Sequence, residues 1–218
     1  MTNFTTIFFD LDDTLYPRES GLWDAIGDRI DEFIHIRLHI PREDIPEIRH
    51  KLFEQYGTTM RGLAAIYGVD QQEYMDFVHD LPLRDFITPN PSTRKMLQKI
   101  PLQRFIFTNA DSHHARRVLE VLNLLDLFGS IIDINDIDPY CKPMPGAYPL
   151  ALKKSGEVNP CRCIMIDDRV SNLVTASQMG MYTIWIGHHE ELPVDVHAQI
   201  ENIDELGKVL NTLSICTA

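Results

Sequence analysis

The chain has little of what a nucleic acid or an anionic membrane surface would require. Its 20 Lys and Arg face 32 Asp and Glu, a net charge of −12, whereas such partners need clustered basic side chains. No apolar run approaches the length of a membrane span. The opening Met1-Thr2-Asn3 lacks a basic segment followed by an apolar one, so a cytoplasmic protein is expected rather than an exported or inserted one. Cysteine is sparse: Cys141, Cys161, Cys163 and Cys216 lack the paired C-x-x-C spacing of a zinc site, and four in 218 residues make no disulfide scaffold. They read as reduced thiols that pack. Internal repeats and low-complexity tracts are missing too. With 44% hydrophobic and 24% charged residues, the chain can form one full core plus a smaller accessory domain.

What the chain does have is carboxylate at the ends of apolar runs. Ile7-Phe8-Phe9 leads into Asp10-Leu11-Asp12-Asp13-Thr14-Leu15, and Cys163-Ile164-Met165-Ile166 leads into Asp167-Asp168. Runs of this length read as buried strands. Acids delivered at the carboxyl end of a strand are placed to build a reaction centre, because sites in open α/β sheets form there. Asp10 and Asp12 would point the same way on an extended strand, whereas a turn just past it lets them converge on one ligand from different directions. A single Asp there reads as a helix or turn cap. Two pairs at two strand ends are not explained that way.

The first strand is expected over residues 5–9. From there to about residue 86 only helical periodicity follows: Leu22, Ile26, Ile30, Phe33 and Ile34 recur at spacings of three and four after a Ser20 cap. Further helices are expected over 45–56, stopped by Gly57, then up to Tyr67, stopped by Gly68, and from Asp70 through Val78. Met60 and Met75 read as core. Beyond Pro82, Pro89 and Pro91, with a helix starting at Asn90 or Ser92, the pattern alternates. Strands are expected over 104–108, 131–135, 163–166 and 183–186, and helices over 112–122, 145–155 and 170–179. Such alternation predicts an α/β fold with a parallel sheet, which the first strand must join. The helical stretch, residues 16–86, is then an insertion in a core of 1–15 and 87–218, and inserted bundles above a crevice act as lids.

Two further features fall at strand ends. Thr108-Asn109 puts a hydroxyl and an amide where they and the next helix's free N–H groups could hold a phosphate oxygen, although an ordinary helix start is an equally open reading. Lys142-Pro143 follows the strand ending near Asn135, and Lys142 is the only lysine between Lys99 and Lys153. A solvated loop is the usual place for such a lysine.

In chain order, Asp10-Leu11-Asp12-Asp13-Thr14, Thr108-Asn109, Lys142-Pro143 and Asp167-Asp168 resemble the four motifs of the haloacid dehalogenase superfamily, and the match covers the whole core. The resemblance implies a Rossmann-like parallel-sheet core with an inserted α-helical cap of the C1 type. It also implies magnesium-dependent hydrolysis of phosphate esters through an aspartyl phosphate. By the same likeness Asp10 is the nucleophile and Asp12 the general acid/base, Thr108 and Asn109 bind phosphate, and Lys142 neutralises phosphate and nucleophile. Magnesium is implied to bind Asp10, the main-chain oxygen of Asp12, Asp168 and Asp167.

The residue types suit that chemistry. A carboxylate nucleophile divides ester hydrolysis into two steps, while a cation and a lysine offset the charge that keeps anion from anion. Dehalogenases of the superfamily lack the second acid of the first motif, so Asp12 argues for phosphoryl transfer. Thr14, in place of the Val of related mutases, favours hydrolysis. Asn172 stands where a longer fourth motif has an acid and is at best an indirect ligand.

A narrower resemblance is to pyrimidine 5'-nucleotidases of the plant and fungal type. It is carried by Leu15-Tyr16-Pro17 with Gly21-Leu22, by His79-Asp80 with Pro82-Leu83, and by Phe107-Thr108-Asn109-Ala110-Asp111 with His114-Ala115 and Arg117. It implies a small phosphorylated metabolite as substrate, a nucleoside 5'-monophosphate with pyrimidines first. The alternatives are a phosphatase for a sugar phosphate or phosphoglycolate-like acid, and a binding or regulatory protein that keeps the fold without turnover. The last is disfavoured because every catalytic position is filled. Tyr16, Arg18, Trp23 and Arg84 lie in or beside the inserted bundle, where an aromatic could stack on a base and an arginine could meet a sugar or phosphate, against the alternatives of packing or a solvated face. His113 and His114 are adjacent and cannot both face one metal from a helix, so a helix-start pair is the favoured reading. His188-His189 is expected in a solvated loop.

Overall fold

The computed structural model describes residues 4–187, 191–213 and 215; His188, His189 and the tail from Cys216 lie outside them. The described residues form two compact units, one running to Glu19 and resuming at Ile87, the other comprising Ser20–Phe86. The division falls after Glu19 rather than after Leu15, so Tyr16 and Arg18 belong with the sheet and not with the helical insertion.

The sheet unit contains β1 (Thr6–Phe9), β2 (Gln103–Phe107), β3 (Ser130–Ile132), β4 (Cys163–Asp167), β5 (Tyr182–Ile186) and β6 (Ala198–Ile200). Their order is β3-β2-β1-β4-β5-β6 and every pair is parallel, the order of a Rossmann-like sheet. Strand β1 is flanked by β2 and β4, with Phe9 in register with Ile106 and Ile166. A central parallel strand is covered on both faces and needs apolar side chains on both, which is why Ile7, Phe8 and Phe9 run without alternation and are all buried.

The insertion is helical throughout: α1 (Leu22–Leu38), α2 (Ile45–Tyr56), α3 (Thr59–Tyr67) and α4 (Gln71–Val78). Leu22, Ile26, Ile30, Phe33 and Ile34 form the buried face of α1. Gly21, in the left-handed region, takes its N-cap position, and Ser20 Oγ accepts from Leu22 N–H at 3.3 Å. Asp70 caps α4 by accepting from Glu73 N–H, and Gly57 and Gly68 end α2 and α3 in left-handed conformations that glycine adopts without strain. Met60 and Met75 are buried.

Back in the sheet unit, α5 (Pro91–Gln98) precedes β2, and α6 (Ser112–Val121), α7 (Ala147–Ser155), α8 (Val170–Gln178) and α9 (Leu206–Thr212) follow β2, β3, β4 and β6. Strand β3 ends at Ile132, three residues short of expectation. The cause is Asp133, whose Oδ1 accepts from the N–H groups of Asn135 and Asp136 and turns the chain. The sequence pattern missed β6, a three-residue edge strand paired only with β5, and α9, too short to establish a period. No helix among the described residues is long and apolar enough to cross a membrane.

Helices α2 and α3 meet closely at Gly62, where an added Cβ would lie 2.7 Å from Leu52 Cβ and Cδ2. In an open helix Gly→Ala gains up to about 1 kcal/mol, but overpacking a filled contact costs about 1–3 kcal/mol. Gly62→Ala should therefore lower the melting temperature of the protein, and a rise would contradict this packing.

Candidate active site

Strand order runs outward in both directions from the β1–β4 pair, which puts the crevice of the open sheet at the carboxyl ends of those two strands. Asp10 follows β1 and donates its N–H to Ile166 O at 2.9 Å, which ties it to the end of β4. The chain then turns at once: Thr14 N–H and Leu15 N–H both donate to Leu11 O, and Asp13 sits at φ 55°. Asp is among the few non-glycine residues that adopt this conformation readily. The turn takes Asp12 off the strand line, so it and Asp10 acquire different partners.

Asp10 meets Lys142. The lysine is buried, and its Nζ donates to Asp10 Oδ1 and to Asp167 Oδ2, each at 2.7 Å. Burial works against the ammonium, yet Asp10 and Asp167 outweigh it and hold Lys142 above its ordinary range. Its main chain is fixed from β2: Asn109 Oδ1 accepts from Lys142 N–H and Asn109 Nδ2 donates to Lys142 O, both at 2.8 Å. The side-chain amide of Asn109 is thus a clamp on the lysine, with both of its ends facing the Lys142 backbone. Thr108 is buried and its Oγ1 accepts from Ala110 N–H at 3.0 Å, which leaves the hydroxyl its proton to donate.

Carboxylate oxygens of Asp10, Asp167 and Asp168 lie within 4.8 Å of one another. An all-oxygen set of this kind suits magnesium. Burial raises the Asp10 carboxyl well above its ordinary value, with Lys142 opposing and Asp167 and Asp168 adding to the rise. Burial and then Asp167 push Asp168 up to about 7. One ammonium is too little for three acids, and a divalent cation would restore the balance. Asp167 has further partners. Its Oδ1 accepts from Arg169 N–H and Asn172 Nδ2, both at 2.9 Å, and its Oδ2 accepts from Lys142. With both oxygens accepting from donors and no exposure, Asp167 braces Lys142 and α8, while its carboxylate stays grouped with those of Asp10 and Asp168, the three acids that could hold a cation. Asn172 is buried and reaches Asp167 rather than the cation position.

Asp12 has other neighbours. Tyr16 Oη donates to its Oδ1 at 2.7 Å, and His114 Nε2 lies 3.1 Å from the same oxygen. Tyr16 was expected in the cap, available to a base; instead it is buried in the sheet unit with its hydroxyl on Asp12, and burial followed by Asp12 raises its pKa well above the ordinary range. His114 is fully buried and is more than the helix-start residue expected. The signal that could have found it is position: it lies in the first turn of α6, which starts just past the β2 residues Thr108 and Asn109, capped by Asp111. Arg18 and Arg84 are both exposed, the first in the sheet unit and the second in the helical one.

Residues 4–180 match the family of haloacid dehalogenase-like hydrolases. Phosphate metabolism protein 8 of Saccharomyces cerevisiae is 30% identical over 210 residues, 90% of this chain. The chain spans only 64% of that relative's length. Glyceraldehyde 3-phosphate phosphatase of Pyrococcus furiosus is 25% identical over 227 residues, 98% of this chain and 94% of that protein. Among solved structures, the magnesium-bound hydrolase YfnB of Bacillus subtilis shares the fold, with a TM-score of 0.65 at 18% identity over 96% of this chain and 99% of that one. The family match runs from β1 past the end of α8 and so includes every strand-end residue gathered at the crevice: the chain belongs to the haloacid dehalogenase-like hydrolases.

Proposed function

We propose that this hydrolase is a magnesium-dependent phosphomonoesterase that works through an aspartyl phosphate on Asp10, with nucleoside 5'-monophosphates, pyrimidines first, as substrates. The observation that carries the reading is the buried Lys142 bridging Asp10 and Asp167 beside Asp168, a centre with more carboxylate than ammonium. Such a centre takes a cation and, against that cation and the lysine, an anionic group. Asp10 and Asp168 would hold magnesium, which when bound supplies charge neutralisation for the phosphoryl oxygens. Lys142 and the Thr108 hydroxyl would orient the phosphate. An Asp10 oxygen attacks phosphorus, a P–O bond to Asp10 forms, and the ester P–O bond breaks while Asp12 gives its proton to the departing oxygen. Asp12 then takes a proton from water as that water attacks the aspartyl phosphate, releasing inorganic phosphate and restoring Asp10.

The pyrimidine preference rests on the segments around Tyr16, His79 and Thr108 that are similar to pyrimidine 5'-nucleotidases. A second reading, a phosphatase for a sugar phosphate or a short acid phosphate, is favoured by the Pyrococcus relative, whose name gives glyceraldehyde 3-phosphate and which this chain matches almost end to end. The helical insertion would serve either substrate as a cap.

Asp10→Asn should abolish phosphate release from any ester with the fold intact, because an amide cannot attack phosphorus while its oxygen still accepts from Lys142 and Asp167 still balances the ammonium. Steady release by the purified variant would place the nucleophile elsewhere.

Magnesium binding has to displace the proton that Asp168 holds up to about 7, so apparent magnesium affinity should fall as pH drops below about 7 and level off above it. The linkage has the opposite sign for the metal-free protein. The folded state keeps a proton that the unfolded chain has released, so stability should decline as pH rises from the ordinary value of 3.8 towards about 7, and magnesium should restore it. In metal titrations Asp168→Ala should weaken binding more than Asn172→Ala. The reverse order, or an affinity indifferent to pH between about 6 and 8, would contradict the assignment of Asp168.

Specificity constants for UMP and CMP should exceed those for AMP and GMP, and Arg84→Ala should change the ranking among nucleotides more than it changes hydrolysis of a small aryl phosphate. Purine nucleotides equal to UMP would sink the pyrimidine reading, and glyceraldehyde 3-phosphate or another sugar phosphate ahead of all nucleotides would install the second one.

A further inference from the structure

A carboxylate that must give a proton at one atom and later take one at the same place has to be held still. Asp12 lies in a tight turn, where its two side-chain torsions would otherwise be free to redistribute. Two donors remove that freedom. Tyr16 Oη reaches Oδ1 from four residues along the same turn, and His114 Nε2 reaches the same atom from the first turn of α6, 102 positions away in sequence. Both side chains are buried, with relative exposures of 3% and 0%. A carboxylate oxygen can only accept, so His114 carries its proton on Nε2 when Asp12 is ionised. Packing alone would be served as well by Phe and Leu, which carry no donor.

We infer that Tyr16 and His114 are positioning residues that together fix the Asp12 carboxylate for its proton transfers. The inference rests on the phosphomonoesterase reading and extends it: the fold supplies the orientation in advance, and it does so through side chains from two separate segments. Neither residue takes part in bond making. Each acts on the reaction only through Asp12, so its loss should be felt in proportion to how much the leaving group needs a proton.

The test is single-turnover release of the leaving group by the magnesium-loaded protein from two substrates, an alkyl phosphate, whose alkoxide leaves only when protonated, and a dinitrophenyl phosphate, whose phenolate leaves unaided. Tyr16→Phe, His114→Ala and His114→Gln are compared with Asp12→Asn and with the unaltered protein. Release from the alkyl ester should fall about 10- to 100-fold in Tyr16→Phe and His114→Ala, within the ~10²–10⁴ a general acid supplies, while the dinitrophenyl ester changes less than about threefold. His114→Gln, which keeps an N–H donor, should lose less than His114→Ala. Tyr16→Phe keeps the ring that fills the site and decides the matter alone if the histidine variants fail to fold by circular dichroism. Equal losses on both esters, or no loss on either, would overturn the inference while leaving the phosphomonoesterase reading in place. An unaltered protein inert towards both esters would overturn that reading and this inference with it.

Discussion

One buried ammonium, Lys142 Nζ at 2.7 Å from both Asp10 and Asp167, ties the ends of β1 and β4 together. Leaving one member of such a cluster unpaired costs about 3–5 kcal/mol, so the surrounding structure has to hold all of it at once. Asn109 at the end of β2 grips the lysine's main chain on both sides. Asn172 and the Arg169 N–H at the start of α8 hold Asp167. The parallel β1–β4 pairing sets Asp10 beside them. The sheet order that opens a crevice there and the charge that fills it are one constraint.

The two acids of the first motif show how a short turn produces two chemistries. Asp10 sits among carboxylates and one ammonium, an environment that calls for a cation and, in the proposed reaction, for a phosphoryl group. Asp12, two residues on, is met by a phenol and an imidazole. Carboxyl groups in unlike surroundings are suited to unlike tasks, and the left-handed Asp13 is the backbone device that separates them.

The sheet core was legible because its signals are local and redundant: an unbroken apolar run for β1, βα alternation for the parallel sheet, glycines at 57 and 68 for the ends of α2 and α3. The acids at the strand ends were legible for the same reason. What the pattern could not carry was the partner of each polar side chain. Asn109 and Asp167 read as substrate and metal contacts, and the three-dimensional placement of Lys142 gives each a supporting role that the pattern did not show. Tyr16 and His114 turn their side chains to Asp12, a partnership that neither residue's own segment announces. No residue-by-residue reading could join Tyr16 to His114, because the contact is made through a third residue. The short β6 and α9 had too few residues for a period.

The central claim is that Asp10 accepts a phosphoryl group. Rapid acid quench of the magnesium-loaded protein during turnover of a phosphate ester, followed by digestion and mass analysis, tests it most directly. The account predicts one phosphoryl group on the peptide that contains Asp10, formed before free phosphate appears and lost on a chase with unlabelled ester. Phosphate released at full rate with no covalent adduct at any time, or an adduct on a different residue, would contradict it.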